Sequence, residues 1–414
     1  MGTIFCVVSF FLAAWLSFFG EPIYGAYRSM IIIGLSAAFI FSIFSNRKNI
    51  KFYFLPSVEV PLLIYLIIIG AGIVFIANKQ IALNRYWGFI FPSIILYYLF
   101  KNQFLLVANK RRFLSTIIIM SSLVSIIAIF EFVYRKNVIY ESHFFNLYYR
   151  NYLFQRRAMS TQFVSPVLGT YLAACIPAAY YFIFEKNIKL KVLGIICGIL
   201  MITGLLLSGQ RSSFVGWIIA TAIYLFIRNK KIFLIFLFST VLLFSATAFN
   251  KNVYLLGRYT LAGLTEKPAY AFRIVRFNTA IKMINKHPFL GLGLEQYKVF
   301  FSQFDSENIN YYKKTPDNMY LMILCESGVV VFGAFIIFIW ALLKKALLYV
   351  KAKRNNFEIV LSLLAGFITM LFSMLTYDAL YWTVPFYLYW IYSGMIASLI
   401  SVPKNNLKES SVLL

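Results

Sequence analysis

Residues 113–133 read FLSTIIIMSSLVSIIAIFEFV and contain a single charged side chain, Glu131. A helix rises about 1.5 Å per residue, so about 20 apolar residues cross the hydrocarbon of a bilayer. The three residues before this run, Lys110, Arg111 and Arg112, are all cations. An apolar run of this length that follows a basic cluster is typical of a transmembrane helix leaving a cytoplasmic loop.

Comparable apolar runs recur along the whole chain, which is 61% hydrophobic and has a mean hydropathy of +0.78. Only 13% of its residues are charged, against about 25% in soluble domains, so lipid must replace water around much of the surface. Because a barrel would show short alternating segments instead, we predict one all-α, polytopic membrane domain over residues 1–414. Eleven to twelve spans are expected, at 4–19, 29–45, 60–77, 86–100, 113–133, 165–184, 190–207, 212–228, 232–249, 318–343, 357–376 and 381–401.

The distribution of cations orients these spans. With the N-terminus in the cytoplasm, and counting cations at the span ends, the inner segments hold 20 Lys and Arg and the four short outer loops hold 4. This contrast follows the positive-inside rule. The net charge of +25 is therefore mostly a signature of membrane topology, and we expect no nucleic-acid partner. The first apolar run has no basic region before it and no cleavage site, which predicts a retained span.

Two long outer loops, 134–164 and 250–317, carry the other 15 cations, and topology does not explain that charge. It indicates an anionic ligand at the outer leaflet, with anionic lipid headgroups as the alternative. Within the second loop, Arg273–Lys286 shows helical apolar spacing and predicts a helix at the membrane surface, ended by His287-Pro288. Gly291 and Gly293 would supply the turn that follows.

The motifs of soluble nucleotide and zinc enzymes are absent from the sequence. The four cysteines all lie in apolar runs without metal spacing, so we expect neither a disulfide framework nor a metal site nor any cofactor. Asp305-Ser306-Glu307 is the nearest approach to a metal-binding pair of acids, and a solvated turn accounts for it.

Candidate anion-binding residues cluster in the predicted outer segments. Arg211 lies in the polar break Ser208–Ser213, where a guanidinium group can meet a phosphate without entering hydrocarbon or simply snorkel. Arg273 and Arg276 are three residues apart on the predicted loop helix and share one face, which suits a diphosphate or a solvated basic surface. Arg157 precedes the span that begins near Pro166.

Three acids follow in the chain. Asp317 and Asn318 stand where a span begins, so they are candidate catalytic and acceptor-orienting residues or, alternatively, helix caps. Glu326 lies about 12 Å further along that helix, and an acid inside a membrane is a functional candidate by default. Asp378, in the last outer loop, is a weaker candidate.

The series Arg157 with its P-x-x-x-G segment, SGQRSS at 208–213, HPFLGLG at 287–293 and PDNMYLMILCESG at 316–328 resembles the O-antigen ligase/polymerase superfamily of bacterial envelope proteins. This resemblance implies a GT-C-like, inverting, metal-independent glycosyltransferase in the bacterial inner membrane, with its active site facing outward. It implies that Arg211, with Arg273 or Arg276 and with Arg157, grips undecaprenyl diphosphate, while Asp317 and Glu326 serve catalysis. The implied partners are undecaprenyl-diphosphate-linked oligosaccharide, membrane lipids and a chain-length regulator.

One position departs from the family pattern. Ligases of this superfamily place a histidine before the asparagine, where this chain has Asp317. The change favours a surface-polysaccharide polymerase over a ligase or oligosaccharyltransferase. A transporter of lipid-linked oligosaccharide remains the alternative from another class, but it would place its polar groups within the spans.

Overall fold

The computed structural model describes residue 34 and residues 54–76, 78–103, 107–137, 157–162, 164–249, 267–305 and 315–401. Every regular element in these ranges is helical. The α-helices are Pro56–Gly72, Lys79–Arg85, Phe91–Gln103, Val107–Tyr134, Ser165–Ile183, Ile188–Ser208, Arg211–Arg228, Lys230–Phe249, Lys267–Lys286, Tyr297–Phe304, Met319–Lys351, Phe357–Ser373 and Thr383–Ile400. Apart from residue 34, the predicted spans 4–19 and 29–45 lie outside the described residues.

Among the residues that the structure describes, six helical segments are long and apolar enough to cross a membrane, which is consistent with the predicted all-α, polytopic membrane protein. They are Pro56–Phe75, Lys110–Tyr134, Ser165–Ile183, Ile188–Ser208, Met319–Lys351 and Thr383–Ile400. Helix Phe357–Ser373 is apolar but shorter. The predicted span 86–100 is irregular at its start, where a π-helix, Tyr86–Ile90, precedes the α-helix Phe91–Gln103.

Two helices form the centre of the bundle. Thr383–Ile400 is buried on every face up to Leu399, and Ser165–Ile183 is buried over most of its length. A helix that is apolar all round and buried all round must be surrounded by other helices. By contrast, Ile188–Ser208 exposes Ile196 and Ile199, as expected for a helix whose outer face meets lipid.

Glycines allow the central helices to approach closely. A Cβ atom on Gly366 would lie 2.5 Å from the carbonyl oxygen of Ala174, and one on Gly394 would lie 2.5 Å from the carbonyl oxygen of Tyr97. Small residues at such contacts let helix backbones pack without a side chain between them, which is how helices associate in a membrane.

Polar contacts divide the ends of the helices into two rims. At one end, which we call the far rim, Arg228 pairs with Glu358 and Arg111 lies 4.0 Å from Glu185. At the other end, the site rim, Arg85 Nη2 donates to the carbonyl oxygen of Leu380. Two more contacts join segments at the site rim: the Arg157 side chain bonds Ser208, and the Thr315 hydroxyl bonds Asp378. This division matches the alternation of loops expected from the charge pattern.

The close approach at Gly366 gives a test of the helix packing. We expect Gly366→Ala to lower the midpoint of thermal unfolding in detergent, because overpacking costs about 1–3 kcal/mol. Gly333→Ala is the matched control, since a Cβ atom there meets nothing within 4 Å. Equal midpoints for the two variants would contradict the packing of Gly366 against Ala174.

Candidate active site

The helix Met319–Lys351, called the long helix below, begins at the site rim with a side-chain cap. Asn318 Oδ1 accepts a hydrogen bond from the backbone N–H of Leu321 at 3.1 Å. This is the ordinary way to satisfy one of the first free N–H groups of a helix. The Met319 N–H is satisfied differently, by the carbonyl oxygen of Met374 at 2.9 Å, which ties the start of the long helix to the end of helix Phe357–Ser373.

Asp317 does not cap the helix; it lies against two arginines. Its Oδ2 atom is 2.8 Å from Arg276 Nη1 and 3.4 Å from Arg273 Nε. Both arginines belong to the loop helix, Lys267–Lys286, which contains the helix predicted at 273–286 and ends just before His287-Pro288. The structure therefore brings together three of the predicted site residues, although Asp317 lies more than forty positions from the two arginines in sequence.

The charges in this cluster do not balance. Two guanidinium groups face one carboxylate, which leaves a surplus positive charge for a ligand. The Arg273 side chain is 59% exposed, whereas that of Arg276 is 10% exposed. Arg276 Nε is buried and has no hydrogen-bond partner among the residues that the structure describes. A guanidinium group with one N–H in an ion pair and another N–H without a partner can still bind an oxyanion.

Contacts from neighbouring segments hold Arg276 in place. The Tyr297 hydroxyl donates to the backbone carbonyl of Arg276 at 3.0 Å, and Arg276 Nη1 also reaches the carbonyl oxygen of Thr315 at 3.4 Å. Because Tyr297 is fully buried, its bond anchors the loop helix to the body of the protein. Arg276 is thus a fixed charge, and Arg273 is the more exposed partner.

The long helix is broken at Gly328, where φ is 71° and ψ is 178°. In an unbroken helix the Val329 N–H would bond Cys325; here it donates to the carbonyl oxygen of Pro288 at 2.8 Å. The carbonyl oxygen of Cys325 accepts from Leu292 at 3.0 Å instead. The segment 288–293, which we call the docking turn, therefore replaces the hydrogen bonds that the break removes.

Three glycines make this docking possible. Gly291 and Gly293, predicted to form a turn, both have positive φ, and the Gly293 N–H donates to the carbonyl oxygen of Glu326 at 2.7 Å. A Cβ atom on Gly328 would lie 2.2 Å from the carbonyl oxygen of Phe289. A side chain at Gly291 or Gly328 would separate the docking turn from the long helix, and one at Gly293 would collide with Ile76.

Glu326 lies at this break and is buried. Its Oε1 atom accepts from the Tyr297 N–H at 3.3 Å, and its backbone carbonyl accepts from the docking turn. Glu326 and Ser327 also line an apolar cavity of about 230 Å³, whose other walls come from helix Pro56–Gly72 and from residues 290–294. The observed contacts of Glu326 are therefore with the segment that carries Tyr297, and they fix that segment relative to the long helix.

The other predicted anion-binding residues lie around the turn 208–213. Arg157 Nε donates to the carbonyl oxygen of Ser208 at 2.9 Å, and Arg157 Nη2 lies 3.4 Å from Gln210 Oε1. Gly209 ends helix Ile188–Ser208 in the left-handed conformation, where a Cβ atom would lie 3.3 Å from Arg157 Nε. Arg211 is the first residue of the next helix, so the SGQRSS motif is a helix–turn–helix corner.

Hydrogen bonds connect this corner to the Asp317 cluster. The hydroxyl groups of Ser213, the last residue of the corner, and Ser373 are hydrogen-bonded, with 3.0 Å between their oxygens. Ser373 ends helix Phe357–Ser373, and the next residue, Met374, accepts the bond from Met319. The corner and the start of the long helix are thus both attached to the same end of one helix.

Glu131 has a role that the sequence did not reveal. Its Oε2 atom accepts from the backbone N–H groups of Met159 and Ser160, at 3.0 and 2.6 Å. These two residues follow Arg157, so a buried carboxylate on one helix holds the backbone of the segment that carries this arginine. The sequence signal was the unusual position of an acid within an apolar run. Nothing in the sequence identified the partners of that acid.

A second missed group joins Arg85, Glu295 and Tyr381. Arg85 Nε lies 3.2 Å from Glu295 Oε1, and the Tyr381 hydroxyl donates to Glu295 Oε2. The Arg85 guanidinium also lies over the rings of Phe89 and Tyr381, 3.9 and 4.6 Å from their centroids. In the sequence Arg85 is one of two cations of a short loop, and nothing there marks it as the partner of a residue about two hundred positions away.

Removal of the Glu131 carboxylate tests its assigned contact. In Glu131→Ala the N–H groups of Met159 and Ser160 lose their acceptor, which costs about 1–3 kcal/mol for a buried group. We expect a lower midpoint of thermal unfolding in detergent. Glu185→Ala is the control, because the Glu185 side chain is partly exposed and its pair with Arg111 is 4.0 Å long, so its removal should change the midpoint little. An unchanged midpoint for Glu131→Ala would show that the backbone of the Arg157 segment does not depend on this carboxylate.

A protein-family model matches the part of the chain that carries most of these site residues. The sequence model of the O-antigen ligase family (Wzy_C) matches residues 196–336, about a third of the chain. The matched region contains Arg211, the loop helix, the docking turn and the start of the long helix, but not Arg157. No curated protein matches the chain. Over residues 196–336 the chain is therefore similar to the O-antigen ligase/polymerase superfamily.

Proposed function

We propose that the chain is a surface-polysaccharide polymerase of the bacterial inner membrane, GT-C-like in architecture, with the site rim facing outward. It would transfer a glycan from undecaprenyl diphosphate to a sugar hydroxyl of a lipid-linked repeat unit. The observation that carries this proposal is the Arg273–Arg276–Asp317 cluster, which places two guanidinium groups beside one carboxylate.

The proposed reaction is a single displacement with inversion. The acceptor hydroxyl oxygen bonds to the anomeric carbon of the donor sugar, and the bond from that carbon to the diphosphate breaks. The hydroxyl proton passes to the Asp317 carboxylate, and the diphosphate leaves with the bonding electrons. Arginines placed beforehand at the leaving diphosphate stabilise the charge as it develops, a task that a metal ion performs in other glycosyl transfers.

Each predicted residue has a place in this scheme. Arg276 is held for the diphosphate by Tyr297 and Thr315, and Arg273 adds a more exposed charge beside it. Arg211 and Arg157 lie at the SGQRSS corner and would contact the same ligand from another side. Asn318 would orient the acceptor with the part of its amide that does not cap the long helix. Glu326 is better supported as the residue that positions the docking turn than as a proton carrier.

A ligase is the second candidate, since the matching family carries the description O-antigen ligase. Both reactions use the same donor and the same leaving group, and they differ in the acceptor. A ligase would move a finished chain to a lipid or protein acceptor. A polymerase would instead join the growing chain to another repeat unit. The aspartate at position 317 supports the polymerase, as argued from the sequence.

Gel profiles of surface glycans from cells with and without the protein separate these candidates. A polymerase predicts that loss of the protein collapses the ladder of lengths to a single repeat unit. Free polymer of normal length on its lipid carrier would identify a ligase instead. Unchanged length and attachment would contradict the enzyme and favour the transporter alternative.

The arginines can be tested one at a time in such cells. We expect Arg211→Ala and Arg276→Ala to abolish chain growth while the protein stays inserted and abundant, because each removes charge from the diphosphate. Lys282→Ala is the matched control for Arg276, since Lys282 is an exposed cation of the same helix. Lys189→Ala is the control for Arg211→Ala, because Lys189 is an exposed cation at the far rim. Polymer of wild-type length in either arginine variant would contradict the assignment of that arginine to the diphosphate.

Asp317 is expected to affect turnover more than donor binding. Asp317→Asn keeps the shape of the side chain but removes the charge that receives the proton, while Arg273 and Arg276 remain available to the diphosphate. With purified protein in proteoliposomes, we expect kcat to fall by at least about 100-fold, the range that general-base catalysis supplies. The donor Kd should stay equal or become tighter. Normal turnover in this variant would reduce Asp317 to a partner of the arginines.

A further inference from the structure

The turn 374–382, which links the last two helices at the site rim, combines aromatic rings with a buried acid. Its sequence is MLTYDALYW. The rings of Tyr377 and Trp382 lie nearly parallel, at 20°, with centroids 6.4 Å apart. Asp378 lies between them in sequence and is buried. We refer to this segment as the aromatic turn.

Two hydrogen bonds join the aromatic turn to the residues around Asp317. The Thr315 hydroxyl donates to Asp378 Oδ2 at 2.8 Å, and the carbonyl oxygen of Met374 accepts from Met319 at 2.9 Å. Thr315 and Met319 flank Asp317 by two positions on each side. The aromatic turn therefore adjoins the same segment, 315–319, that the arginines of the loop helix contact.

The aromatic turn is chemically unlike the arginine cluster. Burial, and secondarily the negative charge of Asp317, raise the pKa of Asp378, so it is a poor place for another anion. The Thr315 hydroxyl donates its hydrogen bond to Asp378, and its oxygen can still accept a hydrogen bond from another group. The Trp382 Nε1 atom is a buried donor that has no hydrogen-bond partner within the described part of the chain.

An interfacial aromatic belt is the simpler explanation for Tyr and Trp at the end of a span. Belt tryptophans keep their N–H in contact with water or headgroups. The N–H of Trp382 is buried, and a buried indole N–H ordinarily finds an acceptor. A ligand that offers an acceptor oxygen and packs against aromatic faces would satisfy this N–H.

We propose that the aromatic turn is the acceptor-sugar subsite, which binds a neutral pyranose ring through Trp382, Asp378 and Thr315. This proposal rests on the proposed glycosyl transfer and deepens it by naming where the acceptor lies. The C–H groups of a sugar ring meet the negative face of an aromatic ring favourably, and the sugar hydroxyls act as donors and acceptors together. A hydroxyl of the bound ring accepts from Trp382 Nε1 and another donates to the Thr315–Asp378 pair.

Binding of a lipid-free oligosaccharide tests the subsite without any reaction. The probe is the repeat-unit oligosaccharide released by mild acid from the lipid carriers of the host and labelled at its reducing end. Equilibrium dialysis against purified full-length protein in detergent measures its Kd. We expect Trp382→Phe and Asp378→Asn each to weaken binding about tenfold, as the loss of a hydrogen bond in a buried site does.

Two variants act as matched controls. Trp87→Phe removes an indole that is 54% exposed, so it should bind the probe as the wild type does. Lys282→Ala should also bind it normally, because it removes only an exposed cation of the loop helix. No binding by the wild type, or equal binding by the wild type, Trp382→Phe and Asp378→Asn, would overturn the subsite.

This measurement separates the subsite from the proposed function. If loss of the protein leaves the cell's glycans unchanged, glycosyl transfer fails while dialysis still reports a sugar site at Trp382. If the glycans collapse to single repeat units but Trp382→Phe binds the probe as tightly as the wild type, the polymerase stands and the subsite falls.

Discussion

The rest of the site depends on one contact, in which the docking turn restores the hydrogen bonds that the long helix loses at Gly328. Inside a membrane an unpaired backbone N–H or C=O costs several kcal/mol, so a helix can open only where another segment restores its hydrogen bonds. Residues 288–293 do this by bonding Cys325, Glu326 and Val329. The same contact anchors the end of the loop helix. Once that end is fixed, Arg276 reaches Asp317 at the start of the long helix.

Electrostatics at the site rim follow from this arrangement. Arg273 and Arg276 face one carboxylate, and Arg157 and Arg211 lie at a corner attached to the same helix end. An excess of fixed positive charge beside apolar helices matches a lipid-linked anion, whose diphosphate needs cations and whose chain needs hydrocarbon. The aromatic turn beside Asp317 offers a different surface, with an indole N–H and ring faces. In the proposed reaction the donor diphosphate and the acceptor sugar would therefore meet separate, chemically matched surfaces.

Several elements could be predicted from local sequence because their physics is local. The apolar run 113–133 specifies a spanning helix, and the structure has Lys110–Tyr134. Asn318 caps the long helix as its type and position indicate, and the loop helix ends just before His287-Pro288. The count of spans was less certain, since a π-helix interrupts the predicted span 86–100 and Phe357–Ser373 is shorter than predicted.

The sequence by itself determined that this protein is a bundle of membrane helices with basic connecting segments, because apolar run length and charge pattern are local properties of the chain. It also predicted candidate site residues, including Arg273, Arg276 and Asp317, which the structure brings together. Only the tertiary structure decided which charges meet. The pairing of Arg276 with Asp317, of Arg85 with Glu295, and of Glu131 with the Arg157 segment joins positions far apart in the chain. Such pairs depend on how whole helices pack, and packing is a property of the assembled bundle.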